Sequence, residues 1–444
     1  MKKTAAFLSL GCKVNSYETE AMRGLFEESG YRIVEFKETA DVYVVNTCTV
    51  TNIADRKSRQ MLHQAKKRNP EAVIAAVGCY VQAAEQELLE DSAVDIIVGN
   101  NKKSDIVHMV ERFLENRVKE ELIADIGAQS EYETLQLATT MDKTRAFIKI
   151  QDGCNRFCSY CIIPYVRGRV RSRDEEDVLK EISELALRGY KEIVFTGIHI
   201  SSYGTDKIKE PEQDNPMPLA RLILKAGEVK GIERIRLGSL EPRIITKDFV
   251  KAMQSVRQFC PHFHLSLQSG SNSVLARMNR KYTSEEYYEK TLLIRKYFDH
   301  PAFTTDVIVG FPGETGEEFE ETKAFVSKIG FSHIHVFKYS KREGTKAAVM
   351  KEQVPEEIKN QRSNELIGIS NFMSQEYKSV FMGKIEKILI EEEIHLDNHS
   401  YLVGHNERYE KIALHGAGDL INEVVSVKVC NKLTEELLLA EIIH

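Results

Sequence analysis

The strongest constraint on the fold is a regular alternation between short apolar runs and segments with helical periodicity, which begins near the first residue. The apolar runs are T-A-A-F-L-S-L, D-V-Y-V-V-N-T, V-I-A-A-V-G and D-I-I-V-G, and segments such as A-D-R-K-S-R-Q-M-L-H-Q-A separate them. This alternation is typical of parallel strands connected by helices. The sequence therefore predicts an α/β domain built on a parallel sheet over residues 1–126.

Three of these predicted strands end at a cysteine, namely Cys12, Cys48 and Cys79. In open α/β sheets the carboxyl ends of the strands line the ligand crevice, so we expect the three thiols to project toward one place. A single buried cysteine often serves only as a small apolar filler. Three cysteines in register favour a functional site.

A second and a third domain follow. The pattern lapses into a polar stretch from Gly127 to Arg145, which we interpret as an interdomain connection, and then resumes with six further apolar runs. Six βα units suit a partial (β/α)6 barrel, predicted over residues 144–370, with its site at the carboxyl ends of the strands. Alternating runs such as K-I-E-K-I-L-I and E-V-V-S-V-K-V predict a small β-barrel over residues 373–444.

The net charge of -6 argues weakly against a nucleic-acid partner, but the charge is unevenly distributed. Residues 372–444 hold 13 acidic and seven basic side chains, whereas residues 153–173 hold five arginines and no acid. Within that basic stretch, Arg167, Arg169 and Arg171 are candidates for binding RNA phosphates, because the guanidinium fork binds two oxygens at once. A solvated charged loop explains the same residues equally well.

The cellular compartment determines whether clustered cysteines are interpreted as disulfides or as metal ligands and reactive thiols. No apolar run approaches the roughly 18 residues of a membrane span, and the opening apolar run continues into the α/β pattern instead of forming a signal peptide. We therefore expect a cytoplasmic protein without a membrane partner. In that reducing environment clustered cysteines are metal ligands or reactive thiols more often than disulfides.

The stretch G-C-N-R-F-C-S-Y-C places Cys154, Cys158 and Cys161 at the spacing C-x3-C-x2-C, directly after a predicted strand. A structural zinc site uses four ligands, usually as two C-x2-C pairs, and no second pair exists here. A disulfide would use two of the three thiols. Iron–sulfur clusters are held by thiolates at such spacings, and three ligands on a four-iron cluster leave one iron open. Cys260 and Cys430 belong to no motif.

On a six-unit partial barrel, C-x3-C-x2-C resembles the radical S-adenosylmethionine signature. The motifs G-C-K-V-N-S-Y-E-T-E, V-V-N-T-C-T-V-T, A-V-G-C-Y, C-S-Y-C-I-I-P-Y-V-R-G-R-V-R-S-R and D-V-I-V-G-F-P-G-E-T narrow this resemblance to the methylthiotransferases, and they extend it over essentially the full length. The terminal β module resembles the TRAM domain.

The resemblance implies two [4Fe-4S] clusters, one held by Cys154, Cys158 and Cys161 and binding S-adenosyl-L-methionine, the other held by the three N-terminal cysteines. The catalytic and metal-binding residues would thus be these six cysteines. Further partners would be a tRNA anticodon loop, an electron donor such as a flavodoxin or ferredoxin, and a sulfur source. Candidates for binding the cofactor at strand ends are Tyr160, Gly197, Ser239, Glu241 and Gln268.

Three substrates compete within the family: N6-threonylcarbamoyladenosine in tRNA, N6-isopentenyladenosine in tRNA, and an aspartate of a ribosomal protein. The opening G-C-K-V-N departs from the G-C-Q-M-N of the isopentenyladenosine enzymes and from the G-C-P-K-N of the ribosomal-protein enzymes. The chain most resembles the threonylcarbamoyladenosine enzymes. A different class, an RNA-binding iron–sulfur sensor without turnover, stays as the alternative to an enzyme.

Overall fold

A computed structural model describes residues 2–137, 144–208, 215–416 and 418–443. Residues 138–143, which form part of the predicted interdomain connection, lie outside the described residues. The described chain folds into a parallel α/β region, a partial barrel and a small closed β-barrel, in that order. This order confirms the predicted fold class.

The first region is a sheet of six parallel strands in the order β2-β1-β3-β4-β5-β6. Its elements are β1 (Thr4–Ser9), α1 (Lys13–Glu28), β2 (Arg32–Val34), β3 (Val42–Thr47), α2 (Asn52–Arg68), β4 (Val73–Gly78), α3 (Cys79–Ala83), α4 (Glu85–Glu90), β5 (Ile96–Val98), α5 (Ile106–Asn116) and β6 (Glu120–Leu122). Every residue of β3 and β4 is buried, because helices cover both faces of the sheet. Helices α1 and α5 pack on one face, and α2 and α4 pack on the other.

The strand order determines where ligands converge. After β1 the chain passes to β2 on one side of it and then returns to β3 on the other side, so the crevice of the sheet lies at the carboxyl ends of β1 and β3. Strand β4 is the next neighbour of β3. The three N-terminal cysteines follow these three strands.

The second region is a partial barrel of six parallel strands with helices outside, as predicted. Its elements are β7 (Arg145–Asp152), α6 (Ile163–Val166), β8 (Arg171–Ser172), α7 (Glu175–Leu187), β9 (Glu192–Gly197), α8 (Met217–Ala226), β10 (Arg234–Leu237), α9 (Lys247–Ser255), β11 (His262–His264), α10 (Asn272–Arg277), α11 (Ser284–Tyr297), β12 (Ala302–Val309), α12 (Gly316–Ile329), β13 (His333–Lys338) and α13 (Glu356–Ser379). The order β8-β7-β9-β10 continues through single bridges into β11-β12-β13, and β8 is a short antiparallel edge. Helices α11 and α12 each begin with a Thr-x-x-Glu capping box.

Alternate residues of the barrel strands have opposite environments. Residues such as Ile148, Phe195 and Ile235 pack outward under the helices in the main core, so their strand neighbours face the interior of the barrel. The interior-facing residues are mostly polar or charged and include Arg145, Lys149, Glu192, Thr196, Arg234, Arg236, His262, His264, Thr304, Asp306, His333 and His335. Helix α1 of the first region contacts β7 and β9. A polar barrel interior therefore borders the N-terminal domain.

The third region is a closed barrel in the order β14-β15-β16-β18-β17, formed by β14 (Ile385–Leu396), β15 (His399–Asn406), β16 (Lys411–His415), β17 (Val424–Lys432) and β18 (Leu438–Ile442). Arg234 donates hydrogen bonds to the carbonyls of Lys387 and His405, each at 2.7 Å, and Arg236 donates to the carbonyl of Asn406 at 2.6 Å. The closed barrel therefore docks at the amino ends of the partial barrel's strands.

The predicted end of helical structure near residue 371 was wrong, because α13 continues to Ser379. The buried face of its last turns includes Ser374 and Lys378, so apolar periodicity does not reveal these turns. The predicted boundary between residues 370 and 373 thus falls inside this helix. In the described part of the chain, no helix is both long enough and apolar enough to cross a bilayer.

Candidate active site

The barrel cysteines lie on one loop that leaves β7 and returns to β8. At its start, Gly153 has φ +72°, and a Cβ at this position would lie 1.8 Å from the Arg169 carbonyl oxygen. Only glycine allows this close approach of two chain segments. The Cys154 N–H donates to the Gly168 carbonyl at 3.0 Å, and the Cys161 N–H donates to the Cys158 carbonyl at 3.0 Å. The loop therefore folds back on itself with its three thiols near the mouth of the barrel.

The N-terminal cysteines converge through the sheet topology. Gly11 has φ +94°, and a Cβ there would lie 2.5 Å from Cys48 Sγ, so the turn after β1 packs directly against the end of β3. Cys79 begins α3 at the end of β4. Burial, helped by the neighbouring Cys79 and Cys12 and opposed by the backbone hydrogen bond from Val50, raises the pKa of the Cys48 thiol to about 11. The three thiols thus share one site.

Each triad offers three cysteine thiols to a metal centre. All eight cysteines are free thiols. Among the described residues, neither triad has its three sulfur atoms within 4.8 Å of one another. Tetrahedral zinc with Zn–S bonds of about 2.3 Å would hold sulfurs roughly 3.8 Å apart. Three cysteine thiols are the ligand type that iron–sulfur clusters use, so the residues of each triad fit such a cluster.

Each triad receives a hydrogen bond from an arginine to one of its sulfurs. Arg280 Nη1 lies 3.2 Å from Cys158 Sγ, and Arg167 Nε lies 3.1 Å from Cys79 Sγ. Hydrogen bonds to ligand sulfurs help to set the reduction potential of iron–sulfur clusters. The loop 153–170 therefore carries the barrel triad at its beginning and contacts the N-terminal triad near its end.

Arg167 is the centre of a buried ionic network between the two domains. Its guanidinium nitrogens lie 2.9 Å from Glu18 Oε1, 3.1 Å from Asp152 Oδ2 and 2.6 Å from Asn15 Oδ1. Glu18 also pairs with Lys149 at 2.7 Å and with Lys103 at 3.1 Å. Burial alone would raise the pKa of Glu18, but the surrounding cations hold it well below its usual value. Both domains therefore share one ionised, hydrogen-bonded cluster of charges beside Cys79.

The RNA-binding role predicted for Arg167 and Arg171 does not fit the structure. Both side chains are 0% exposed, and Arg167 is fully engaged by the network. Arg171 Nη1 donates to the Arg169 carbonyl at 3.1 Å. Only Arg169 of the three is exposed, with its guanidinium 4.6 Å from the centre of the Phe157 ring. The sequence reveals the charges but not their counterions, which come from distant segments of the chain.

Of the residues predicted to bind the cofactor, Glu241 has the best-defined surroundings. Its carboxylate oxygens lie 2.5 Å from Arg156 Nη2, 3.3 Å from Arg280 Nη2 and 3.3 Å from His199 Nε2. Burial opposes ionisation, yet His199, Arg280 and Arg156 lower the pKa of Glu241 to about 2. Through Arg280 this carboxylate connects to Cys158. Glu241 therefore supports the cysteine loop as well as facing the strand ends.

The other four residues predicted to bind the cofactor differ in their contacts and exposure. Gly197 ends β9, where a Cβ would lie 2.9 Å from the Gln151 carbonyl, and Gln268 has a left-handed φ of +70° with its N–H bonded to the Asp306 carbonyl at 2.8 Å. The Tyr160 ring packs edge-on against Phe311. Ser239 is exposed after β10.

Several residues of the site were not foreseen from the sequence. Asn15 and Glu18 are three positions apart in α1, so the helical period makes them neighbours on one face of the helix, and Asn15 in turn is three positions after Cys12. Arg280, His199 and Arg156 carry no such signal, because only the folded barrel brings them to Glu241 and Cys158.

A partial barrel with C-x3-C-x2-C after its first strand defines a radical S-adenosylmethionine protein. A family model described as "Radical SAM superfamily" matches residues 148–326, and one described as "Uncharacterized protein family UPF0004" matches residues 4–99. Among solved structures, the radical S-adenosylmethionine methyltransferase TsrM from Kitasatospora setae aligns with a TM-score of 0.57 at 13% identity, over 79% of this chain and 77% of that one. That likeness concerns the fold.

Sequence relatives identify the family. The threonylcarbamoyladenosine tRNA methylthiotransferase MtaB of Bacillus subtilis is 43% identical over 96% of this chain and 93% of its own length, and that of Aquifex aeolicus is 41% identical over 92% and 97%. The tRNA-2-methylthio-N(6)-dimethylallyladenosine synthase of Carboxydothermus hydrogenoformans is 36% identical over 96% and 97%. The chain belongs to the radical S-adenosylmethionine methylthiotransferase family.

Proposed function

We propose that this protein transfers a methylthio group to C2 of N6-threonylcarbamoyladenosine, 3′ to the anticodon of tRNA, using two [4Fe-4S] clusters and S-adenosylmethionine. The observation that carries the proposal is the pair of cysteine triads joined by one loop, with Arg167 reaching from the barrel to Cys79. Two threonylcarbamoyladenosine enzymes, at 43% and 41% identity, support this substrate, since the dimethylallyladenosine enzyme of Carboxydothermus hydrogenoformans is 36% identical; the threonylcarbamoyladenosine enzyme of Chlamydia pneumoniae is 35% identical.

The reaction requires radical chemistry because an aromatic C–H is neither acidic nor electrophilic, so acid–base catalysis alone offers no route. Bound at the two triads, the clusters and S-adenosylmethionine would supply the hydrogen-abstracting radical and the sulfur. An electron donor such as a flavodoxin or ferredoxin and a source of replacement sulfur complete the requirements, in the cytoplasm.

The chain's own residues provide ligation, placement and exclusion of water. Cys154, Cys158 and Cys161 hold one cluster and the N-terminal triad holds the other, while Arg280 and Arg167 donate to one sulfur of each. The buried ionic network around Glu18 fixes the position of the N-terminal domain relative to the barrel. A base in the anticodon loop can leave its stack and enter the space between these sites.

The test is a comparison of tRNA substrates with anaerobically reconstituted enzyme and mass spectrometry of the product nucleosides. We expect a methylthio group on threonylcarbamoyladenosine and none on isopentenyladenosine or on ribosomal protein. Equal activity on isopentenylated tRNA would overturn the substrate assignment. S-adenosylmethionine cleavage that never leads to any methylthiolated product would overturn the transferase itself, and absence of cleavage would favour a sensor.

A further inference from the structure

Lys13 connects the N-terminal triad to the interior of the barrel. It follows Cys12 and is the first residue of α1, and its Nζ lies 4.9 Å from the centre of the Phe147 ring in β7. Phe147 alternates with the outward-packed Ala146 and Ile148, so its ring faces the barrel interior. The Lys13 side chain is nevertheless exposed, and it therefore borders open space rather than a packed core.

The Lys13 ammonium lies over the Phe147 ring and near charged side chains of the barrel interior. Partial desolvation by the surrounding protein lowers its pKa, and the positive charges of Arg145 and Arg236 lower it further, against an opposing effect of Glu192. Arg145 and Glu192 begin β7 and β9, and Arg236 is the third residue of β10. Lys13 thus extends from the cysteine site toward the charged side chains of the barrel interior.

Other cations near the two triads are paired with carboxylates. Arg167, Lys149 and Lys103 pair with Glu18, Arg156 and Arg280 pair with Glu241, and Arg145 and Arg236 pair with Glu192. Within the described part of the chain, Lys13 has no carboxylate at ion-pair distance. It is therefore a cation available to a ligand, beside the site proposed to supply sulfur.

An available cation in partly desolvated surroundings favours an anionic ligand, since a charge-assisted hydrogen bond there is stronger than one in water. The threonylcarbamoyl group ends in a carboxylate, whereas an isopentenyl group carries no charge and gains nothing from a lysine. His335, whose pKa burial and the nearby Lys13 both help to lower, faces the same interior and adds a polar neighbour for the carbamoyl atoms.

We propose that Lys13 is the specificity-determining residue that binds the threonyl carboxylate of the modified adenosine. This proposal rests on the proposed function and adds the residue that selects the substrate. Arg167 and Arg171, which the sequence suggested as RNA ligands, are buried and do not take this role. A base bound through Lys13 would lie beside Cys12, where the sulfur is delivered.

The test pairs two RNAs with three proteins. A synthetic anticodon stem-loop bearing threonylcarbamoyladenosine is compared with the same RNA in which the threonyl carboxylate is a neutral amide. Reconstituted wild type, Lys13→Gln and Lys13→Arg are measured for RNA affinity and for kcat/KM of methylthiolation, and iron content is measured for each. An exposed lysine in the loop before β3, Lys37, provides the matched control Lys37→Gln.

Wild type and the Lys37→Gln control should bind the acid RNA roughly tenfold or more tightly than the amide RNA. Lys13→Gln should bind both equally, with iron content unchanged, and Lys13→Arg should restore part of the preference. Because each protein is judged by its ratio between two RNAs, a general loss of binding does not mimic the expected result.

Two failures are distinguishable. If wild type does not methylthiolate threonylcarbamoyladenosine in either RNA, the proposed function is wrong. If wild type modifies the acid RNA but Lys13→Gln keeps the full preference for acid over amide, the function stands and the role of Lys13 is overturned. Wild type that treats acid and amide alike also overturns the role of Lys13.

Discussion

The barrel triad and the N-terminal triad differ in how the chain assembles them. Cys154 and Cys161 are seven positions apart on one loop, whereas Cys12 and Cys79 are 67 positions apart at the ends of different strands. The first triad is determined by local spacing and a glycine turn. The second exists only when the parallel sheet has formed in the order that places β1, β3 and β4 side by side.

The two triads differ also in the source of their arginine. Arg280, which donates to Cys158, belongs to the same barrel as that cysteine, whereas Arg167, which donates to Cys79, comes from the other domain. The N-terminal site is therefore completed across a domain interface. We expect it to respond to changes in that interface that leave the barrel site intact.

The largest expected effect comes from removing the barrel triad. Replacing Cys154, Cys158 and Cys161 with alanine should lower the iron content from about eight to about four per chain and abolish reductive cleavage of S-adenosylmethionine. Iron analysis and quantification of deoxyadenosine check both expectations. Loss of all the iron would mean that the two sites are not independent.

Two glycines offer a matched pair of single substitutions, each with a smaller expected effect than removal of a whole triad. A Cβ at position 153 would meet the Arg169 carbonyl oxygen at 1.8 Å, and a Cβ at position 11 would meet Cys48 Sγ at 2.5 Å, both at positive φ. Gly153→Ala should lose most of the cleavage activity because backbone cannot move aside. Gly11→Ala should keep cleavage and lose methylthiolation, because it disturbs only the N-terminal triad. The reverse pattern, read from the same two assays, would contradict the assignment.

The interface network should behave as a buried ion cluster. Arg167→Gln leaves Glu18 and Asp152 short of a partner, and breaking a buried pair in this way costs about 3–5 kcal/mol. Amide exchange in α1 should then become roughly 10²- to 10⁴-fold faster, as hydrogen-exchange mass spectrometry would report. Arg280→Gln is the matched change at the other triad and should leave α1 exchange as in wild type.

The smallest effect is expected at Arg169, which is the exposed one of the three arginines predicted to bind RNA. If it contacts a phosphate, Arg169→Gln should weaken binding of all tRNAs by a few fold and reduce the slope of log affinity against log salt by about one. Binding titrations at several salt concentrations measure this slope. An unchanged slope would leave Arg169 outside the RNA contact.

The fold and the barrel loop could be predicted because their signals are local. The alternation of apolar runs with helical segments predicted the parallel sheet and the partial barrel. The spacing of Cys154, Cys158 and Cys161 can be recognised within a single loop. Convergence of Cys12, Cys48 and Cys79 needed one further step, the rule that parallel strands share their carboxyl edge.

The rest depends on contacts between distant segments. In the sequence R-G-R-V-R-S-R, Arg167 resembles a surface arginine. In the structure it is buried and paired with Glu18, which is 149 positions away, and no local sequence pattern predicts that partner. The same is true of Arg280 beside Cys158 and Glu241. Lys13 differs from these arginines, because we propose a role for it on the ground that no carboxylate of the described residues pairs with it. The sequence does not show that absence either.

The account rests on a division of labour between the two triads, and one variant tests it most directly. Cys12, Cys48 and Cys79 are replaced together with alanine, the protein is reconstituted anaerobically, and deoxyadenosine and methylthiolated nucleoside are measured in the same reaction with threonylcarbamoyladenosine-containing tRNA. The account predicts about four irons per chain, measurable cleavage of S-adenosylmethionine and no methylthiolated product. Methylthiolation by this variant would contradict the account and make the N-terminal triad structural.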